Sequence, residues 1–371
     1  MKGFPMKDDY DSPSFHDFDF ETYLRETEPK KREKGYAWHT AIGLQAVDGL
    51  KPSRYLVETA IQNIEGKFTL HDAQERLNAY YKKGSRSDSG DRTEEADKVS
   101  LRIAQILSEK AFNFAPNEYL SIHRKLFTGI YKHAGKIRDY NITKSEWILD
   151  GATVLYGSAS ELRATLEYDL LQERSFSYRG LAMDEVVQHL AVFIARLWQI
   201  HVFGEGNTRT TAVFFIKYLR TLGFDITNEI FAKNAWYFRN ALVRANYNDL
   251  KKGIHETTAF LELFLRNLLL DEHNELRNRT MYIGNMPPIR KTDDPISDPI
   301  NDPITMDKRE QAVYEALLID ASLTRKALAE KLGCSDATVK RTLARMVEKK
   351  IIQRVGANKN GFWLVRTNPT K

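Results

Sequence analysis

The run at 286–307, MPPIRKTDDPISDPINDPITMD, constrains the architecture more than any other stretch, because an Asp-Pro-Ile unit recurs there three times with a period of four. Proline lacks the backbone N–H that a helix or a central strand needs, so the run reads as an extended, semi-stiff linker over 283–306. A chain of 371 residues is long enough for two or three domains, and this is where it divides. The predicted order is an N-terminal tail at 1–35, a helical region at 36–92, a helical core at 93–282, the linker, and a small domain at 307–371.

Charge follows the same division. The segment 307–371 has fourteen Lys or Arg against seven Asp or Glu and so carries +7, while the whole chain carries only +5. Basic charge gathered at one end points to a nucleic-acid partner for that end alone. Cys334 is the single cysteine, which rules out an intrachain disulfide and a cysteine-rich zinc site and favours a reducing, cytoplasmic setting. No apolar run approaches the roughly 18 residues that span a bilayer, so no membrane partner is expected. The acidic start, MKGFPMKDDYDSPSFHDFDF, lacks the apolar centre of a signal peptide.

Apolar spacing predicts a mainly α fold. KPSRYLVETAIQNIEG reads as a helix stopped by Gly66, and a second follows from Leu70. A flexible loop is expected at 84–92, then helices over 93–111, 116–129, 160–173, 183–200, 207–222, 234–250 and 256–270. The exception is SEWILDGATVLYG, where β-prone runs flank Asp150-Gly151, a pair suited to a two-residue type I′ turn. A short hairpin is predicted there, and an isolated hairpin needs support from its surroundings.

Val187, Leu190, Ile194, Leu197 and His201 follow the rhythm of one helix face, which turns His201 inward. The helix breaks at FGEGN, and NTRTTAVFFIKYL opens another with Asn207 or Thr208 as its expected N-cap. Open N–H groups at such a start, beside glycines, suit a phosphate. Glu205 can offer one carboxylate to Mg²⁺, Arg209 can fork onto phosphate oxygens, and His201 can take a hydroxyl proton. Together they fit attack by a hydroxyl on a metal-bound phosphate.

HVFGEGNTR resembles the Fic family signature His-Pro-Phe-x-(Asp/Glu)-Gly-Asn-Gly-Arg-x-x-Arg at His201, Phe203, Glu205, Gly206, Asn207 and Arg209. The resemblance extends over roughly 36–280 and implies a Fic-type helical bundle that moves AMP from ATP to a Ser, Thr or Tyr hydroxyl of a target protein or of itself. It implies His201 as general base, Glu205 as the Mg²⁺ ligand, Phe203 as a packing anchor, and Gly206, Asn207, Thr208 and Arg209 around the phosphates. Asn246 and Arg239 stand where the family contacts the nucleotide. The segment 146–157 resembles the family's flap, with Trp147, Ile148, Leu149, Thr153 and Val154 aligning the target by strand addition. Val202, Thr208 and Ala212 replace the signature's proline, third glycine and second arginine. IQNIEG resembles the family's inhibitory helix with Ile61 in place of a hydroxyl residue, implying partial autoinhibition by Glu65 through Arg209 or Asn207.

The last 60 residues resemble the winged helix-turn-helix family: TRKALAEKLG, the turn CSD, ATVKRTLARMVEKK, then a hairpin with Lys359 at its tip. Leu328, Leu332, Val339, Leu343 and Met346 face inward, while Lys340, Arg341, Arg345 and Lys359 are the expected DNA contacts. Two rival readings stand beside the transferase: a DNA-binding regulator whose Fic-like domain senses nucleotide, and a transferase with another nucleotide donor. A homodimer is among the expected assemblies.

Overall fold

The structure is a computed structural model and describes residues 23, 25, 28–82, 92–226, 229–284, 308–319, 323–348, 352–355 and 362–365. Residues 285–306 of the expected linker, residues 84–91 of the expected flexible loop and Lys359 lie outside them. The chain forms two compact units, Met1–Pro288 and Ile289–Lys371. No described helix is long and apolar enough to cross a membrane.

The first unit is helical. Helix α1 (Pro29–Gly43) leads through a 3₁₀ turn (Leu44–Asp48) to α2 (Arg54–Ile64), α3 (Leu70–Lys82), α4 (Thr93–Ser108) and α5 (Pro116–Phe127). After a long irregular stretch come α6 (Leu162–Ser175), α7 (Met183–Ile200), α8 (Asn207–Thr221), the short α9 (Ile230–Lys233), α10 (Ala235–Arg244) and α11 (Ala259–Leu270). Helix α8 is the core element, buried without interruption from Asn207 to Leu219. Helices α7 and α8 pack together, and the site lies in the loop that joins them.

Helix α1 corrects the predicted tail. It starts at Pro29, and every residue from Gly35 to Gly43 is buried, packed mainly against α4. Its second half is buried on all sides and its first turns are polar, so no apolar stripe marks it and spacing did not reveal it. Its last glycine is required: a Cβ at Gly43 would lie 2.3 Å from the Ala232 carbonyl oxygen.

The predicted hairpin at 146–157 also needs correction. The turn forms as expected, with Asp150 at φ 52°, Gly151 at φ 87° and the Ala152 N–H donated to the Leu149 carbonyl at 3.0 Å. The strands do not form: Trp147–Leu149 is a 3₁₀ turn. Ile148 and Leu149 are both buried, and adjacent strand residues point to opposite faces, so a strand would expose one of them. The segment instead leans on the end of the unit, where the Ile148 carbonyl accepts the Ile283 N–H at 3.0 Å and Trp147 packs on Tyr282.

The second unit has the predicted order: α12 (Lys308–Ile319), α13 (Arg325–Lys331), α14 (Asp336–Glu348), then strands β1 (Ile352–Val355) and β2 (Phe362–Val365), antiparallel with Ile352 opposite Val365. Thr324 caps α13 by accepting the Ala327 N–H. Val313, Leu317, Leu328, Val339, Leu343, Met346 and Ile352 make its core.

Candidate active site

Helix α7 ends at Ile200, and His201 follows in the left-handed region at φ 50°, ψ 57°. A non-glycine residue there is strained and has to be held by its surroundings. Arg138 holds this one, donating Nε–H to the His201 carbonyl at 2.8 Å while its other nitrogens reach the carbonyls of Tyr140, Gly157 and Ile200. The His201 ring is buried between Tyr156, at 4.2 Å, and Trp198. Its Nδ1 lies 3.2 Å from the Trp198 carbonyl oxygen, and a carbonyl only accepts, so Nδ1 carries the hydrogen and Nε2 keeps its lone pair. Burial, then the charge of Lys144, then those of Arg239 and Arg138 push the imidazole pKa well below its ordinary value. His201 is therefore neutral near pH 7.

The loop from 202 to 206 is braced from below. Asn207 accepts the Phe203 N–H at 2.9 Å and donates to the Phe203 carbonyl at 2.7 Å, closing the loop on itself. Phe203 stacks on His123 at 3.6 Å. His123 accepts the Gly135 N–H at Nδ1 and donates Nε2–H to the Glu205 carbonyl at 2.9 Å. Burial takes its pKa down to about 3. Gly206 has φ 77°, and a Cβ there would strike the Phe127 ring at 2.4 Å. Gly206 is itself the N-cap of α8, correcting the expected Asn207 or Thr208 cap. The Thr208 hydroxyl accepts Trp198 Nε1–H at 3.0 Å. The N–H groups of Asn207, Thr208 and Arg209 have no protein acceptor among the described residues, and unpaired amides at a helix start suit an anion.

Several predicted ligands are engaged elsewhere. The Arg209 side chain is fully buried over the Phe127 ring, with Nε 2.7 Å from Asp48 Oδ2, Nη2 2.7 Å from Glu95 Oε1 and Nη1 donating to Gln45 Oε1. Burial alone would raise both carboxyls, yet Asp48 and Glu95 stay below their ordinary range because Arg209 and Arg92 lie beside them. Arg209 thus fastens the N-terminal segment and α4 beneath the loop. Asn207 and Thr208 likewise give their side chains to the protein and only their amides to the site. Asn246 donates Nδ2–H to the carbonyls of Ala195 and Leu242, joining α10 to α7. Arg239 pairs with the buried Glu146 at 2.8 Å, and Glu146 also accepts the Tyr156 hydroxyl.

Glu65 does not meet Arg209 or Asn207. It lies at the C-terminal end of α2, a third exposed, and pairs with Lys31 at 3.1 Å. Lys31 fills the inhibitory partner's place at Glu65, and Asp48 and Glu95 fill it at Arg209. In the flap segment, Ile148, Leu149 and Val154 are buried, Trp147 and Thr153 are half-buried, and Leu155 is the outward residue at 84% exposure. The Leu155 carbonyl accepts from Gln199 at 3.1 Å.

Glu205 lies two residues ahead of α8, its carboxylate nearly half exposed with Lys144 Nζ 3.3 Å away. No group of three or more His, Cys, Asp or Glu is placed to hold a metal among the described residues. A nearly half-exposed carboxylate suits Mg²⁺, which takes one or two carboxylates and completes its shell with phosphate and water, once the Lys144 ammonium gives up its contact. Sequence reading missed Lys144, Arg138, His123, Asp48 and Glu95. The one signal for Lys144 and Arg138 was basic residues in an irregular stretch of an otherwise helical domain.

In the second unit Lys340 and Arg341 are exposed on α14. Arg345 is exposed but lies 3.6 Å from the buried Glu310 of α12.

The Fic/DOC family pattern matches residues 113–219 and a winged helix-turn-helix DNA-binding pattern matches residues 306–353. Over 105 residues the chain is 31% identical to the protein adenylyltransferase VbhT of Bartonella schoenbuchensis, covering 28% of this chain and 21% of that protein. It is 27% identical over 150 residues to the probable protein adenylyltransferase y4lH of Sinorhizobium fredii, covering 40% of this chain and 73% of that protein. The first of these matches therefore spans about a fifth of the relative's length. Among solved structures, a Fic family protein from Desulfovibrio desulfuricans is similar over 94% of this chain and 90% of its own, with a TM-score of 0.45 and 14% identity.

Proposed function

We propose that this chain, whose residues 113–219 are a Fic/DOC family domain and whose residues 306–353 are a winged helix-turn-helix domain, transfers AMP from ATP to a protein Ser, Thr or Tyr hydroxyl. One observation carries the reading: a neutral imidazole with an open Nε2 ends α7 just before the open amides that begin α8. In the reaction, Nε2 of His201 takes the hydroxyl proton as the oxygen forms its bond to the α-phosphorus. The bond to pyrophosphate breaks, and the pyrophosphate leaves with the electron pair. Amides of Asn207, Thr208 and Arg209 donate to phosphate oxygens that gain charge, and Gly206 leaves them room. Mg²⁺ would be held by Glu205 and, when bound, neutralises phosphate charge. The second unit supports DNA as a further partner, through Lys340 and Arg341.

The test is intact mass after incubation with each nucleotide and Mg²⁺, run beside His201→Asn, since asparagine tolerates the left-handed backbone. One added adenylyl group from ATP, absent in the variant, is expected. An adduct from another nucleotide would change the donor. No adduct on the chain itself or on lysate proteins, together with nucleotide-dependent DNA binding, would leave the sensing regulator.

A further inference from the structure

Three cations bear on His201, and their surroundings differ. Arg138 is wedged among four backbone carbonyls. Arg239 is held by Glu146, which is itself buried and fixed by Tyr156. Lys144 makes one side-chain hydrogen bond among the described residues, to the nearly half-exposed Glu205, and is itself about a quarter exposed. An ammonium group has three donors, so two remain open. Its backbone is anchored, since the Lys144 N–H is donated to Thr153 Oγ1 at 3.2 Å.

A triphosphate at the start of α8 needs more positive charge than amides provide. The side chains that would supply it are engaged or missing: Arg209 is neutralised by two carboxylates, and position 212 is a fully buried alanine.

We infer that Lys144 is the side-chain cation that receives the terminal phosphates of the nucleotide, and that its pair with Glu205 is a resting contact given up on binding. The inference rests on the nucleotide-transfer reading and adds the residue that grips the donor. Lys144 swings from Glu205 to the phosphates and leaves the carboxylate to Mg²⁺. Glu205 and the phosphate thus compete for one ammonium group.

Isothermal titration of the full chain tests this, using ATP and AMP with EDTA and then with Mg²⁺. In EDTA, Lys144→Ala is expected to weaken ATP binding tenfold or more, leave AMP binding unchanged and keep the same thermal midpoint, while Lys144→Arg retains most of the affinity. Glu205→Gln is expected to tighten ATP binding in EDTA, because the competing carboxylate is gone, and adding Lys144→Ala should remove that gain. Equal ATP affinity in the parent and Lys144→Ala overturns the inference while leaving the transferase reading intact. A loss of ATP and AMP binding in equal proportion also overturns it, since that marks general damage to the site. No binding of ATP or AMP by the parent protein defeats both.

Discussion

His123 and His201 lie in neighbouring parts of the same site, both buried and both with depressed pKa values, but their ring nitrogens are used differently. His123 belongs to the floor, where both nitrogens are engaged, as are both ends of the Asn207 amide, and where the Arg209 guanidinium is paired with two carboxylates. His201, Glu205 and Lys144 belong to the mouth, where each keeps an open donor or acceptor. The Fic signature runs through both regions without distinguishing them. Burial and partners separate residues that shape the loop from residues left to meet a substrate.

The largest predicted effect belongs to the mouth. His201→Asn should lower transfer by about 10²–10⁴-fold, the usual contribution of a positioned general base, with the thermal midpoint little changed. A variant that instead unfolds would move His201 to the floor. Next comes Arg209→Met. It strands Asp48 without its paired cation and leaves Glu95 to Arg92, and breaking one side of a buried ion pair costs about 3–5 kcal/mol. Denaturant unfolding should show that loss. A fully stable Arg209→Met protein that merely binds ATP weakly would erase the line between floor and mouth.

The pH dependence sharpens the same contrast. His123 is held neutral in the folded protein down to about pH 3, whereas in the unfolded chain it takes a proton near its ordinary value. The unfolded state therefore binds more protons in that window, and stability should fall as pH drops from about 6.5 toward 3, by up to ~1.4 kcal/mol per pH unit for one such histidine. His201 has the same sign, so transfer should not decline on acidification until well below the usual histidine range. A rate that halves near pH 6.5 while the fold is intact would show His201 to be an ordinary, exposed imidazole.

How much of this was legible in the sequence depends on where partners lie along the chain. Helix α7 could be read because one face is apolar, and His201 because it ends that stripe. The turn at Asp150-Gly151 could be read because two positive φ angles demand such a pair. Helix α1 could not, since its polar first turns and its fully surrounded second half leave no apolar period. The role of Arg209 was hidden for another reason: its partners Asp48 and Glu95 stand more than a hundred residues away, and local spacing carries no trace of them. Lys144 was hidden because its place is set by an irregular segment folding back on the loop.

Helix α14 offers the same contrast with smaller stakes. Lys340 and Arg341 are exposed with no carboxylate against them among the described residues, while Arg345 lies beside Glu310. Lys340→Ala and Arg341→Ala should each weaken duplex binding and reduce the slope of log affinity against log salt by about 1, the loss of one phosphate contact. Arg345→Ala should change that slope less. Equal effects from all three would mean that Arg345 leaves Glu310 when DNA arrives.

The smallest expected change is at Glu65. Inhibition would require its carboxylate to reach Arg209, whose nitrogens already meet Asp48, Glu95 and Gln45. It would also require Glu65 to leave Lys31, which together with Tyr23 holds the exposed Glu65 carboxyl below its ordinary range. Exposed pairs of this kind contribute little to stability. Glu65→Gly should therefore leave both transfer and the thermal midpoint unchanged, measured beside Asp48→Asn, which loosens the carboxylate that does meet Arg209. A gain in transfer from Glu65→Gly alone would mean that the chain also visits an arrangement in which α2 reaches the loop, and the floor would then be movable.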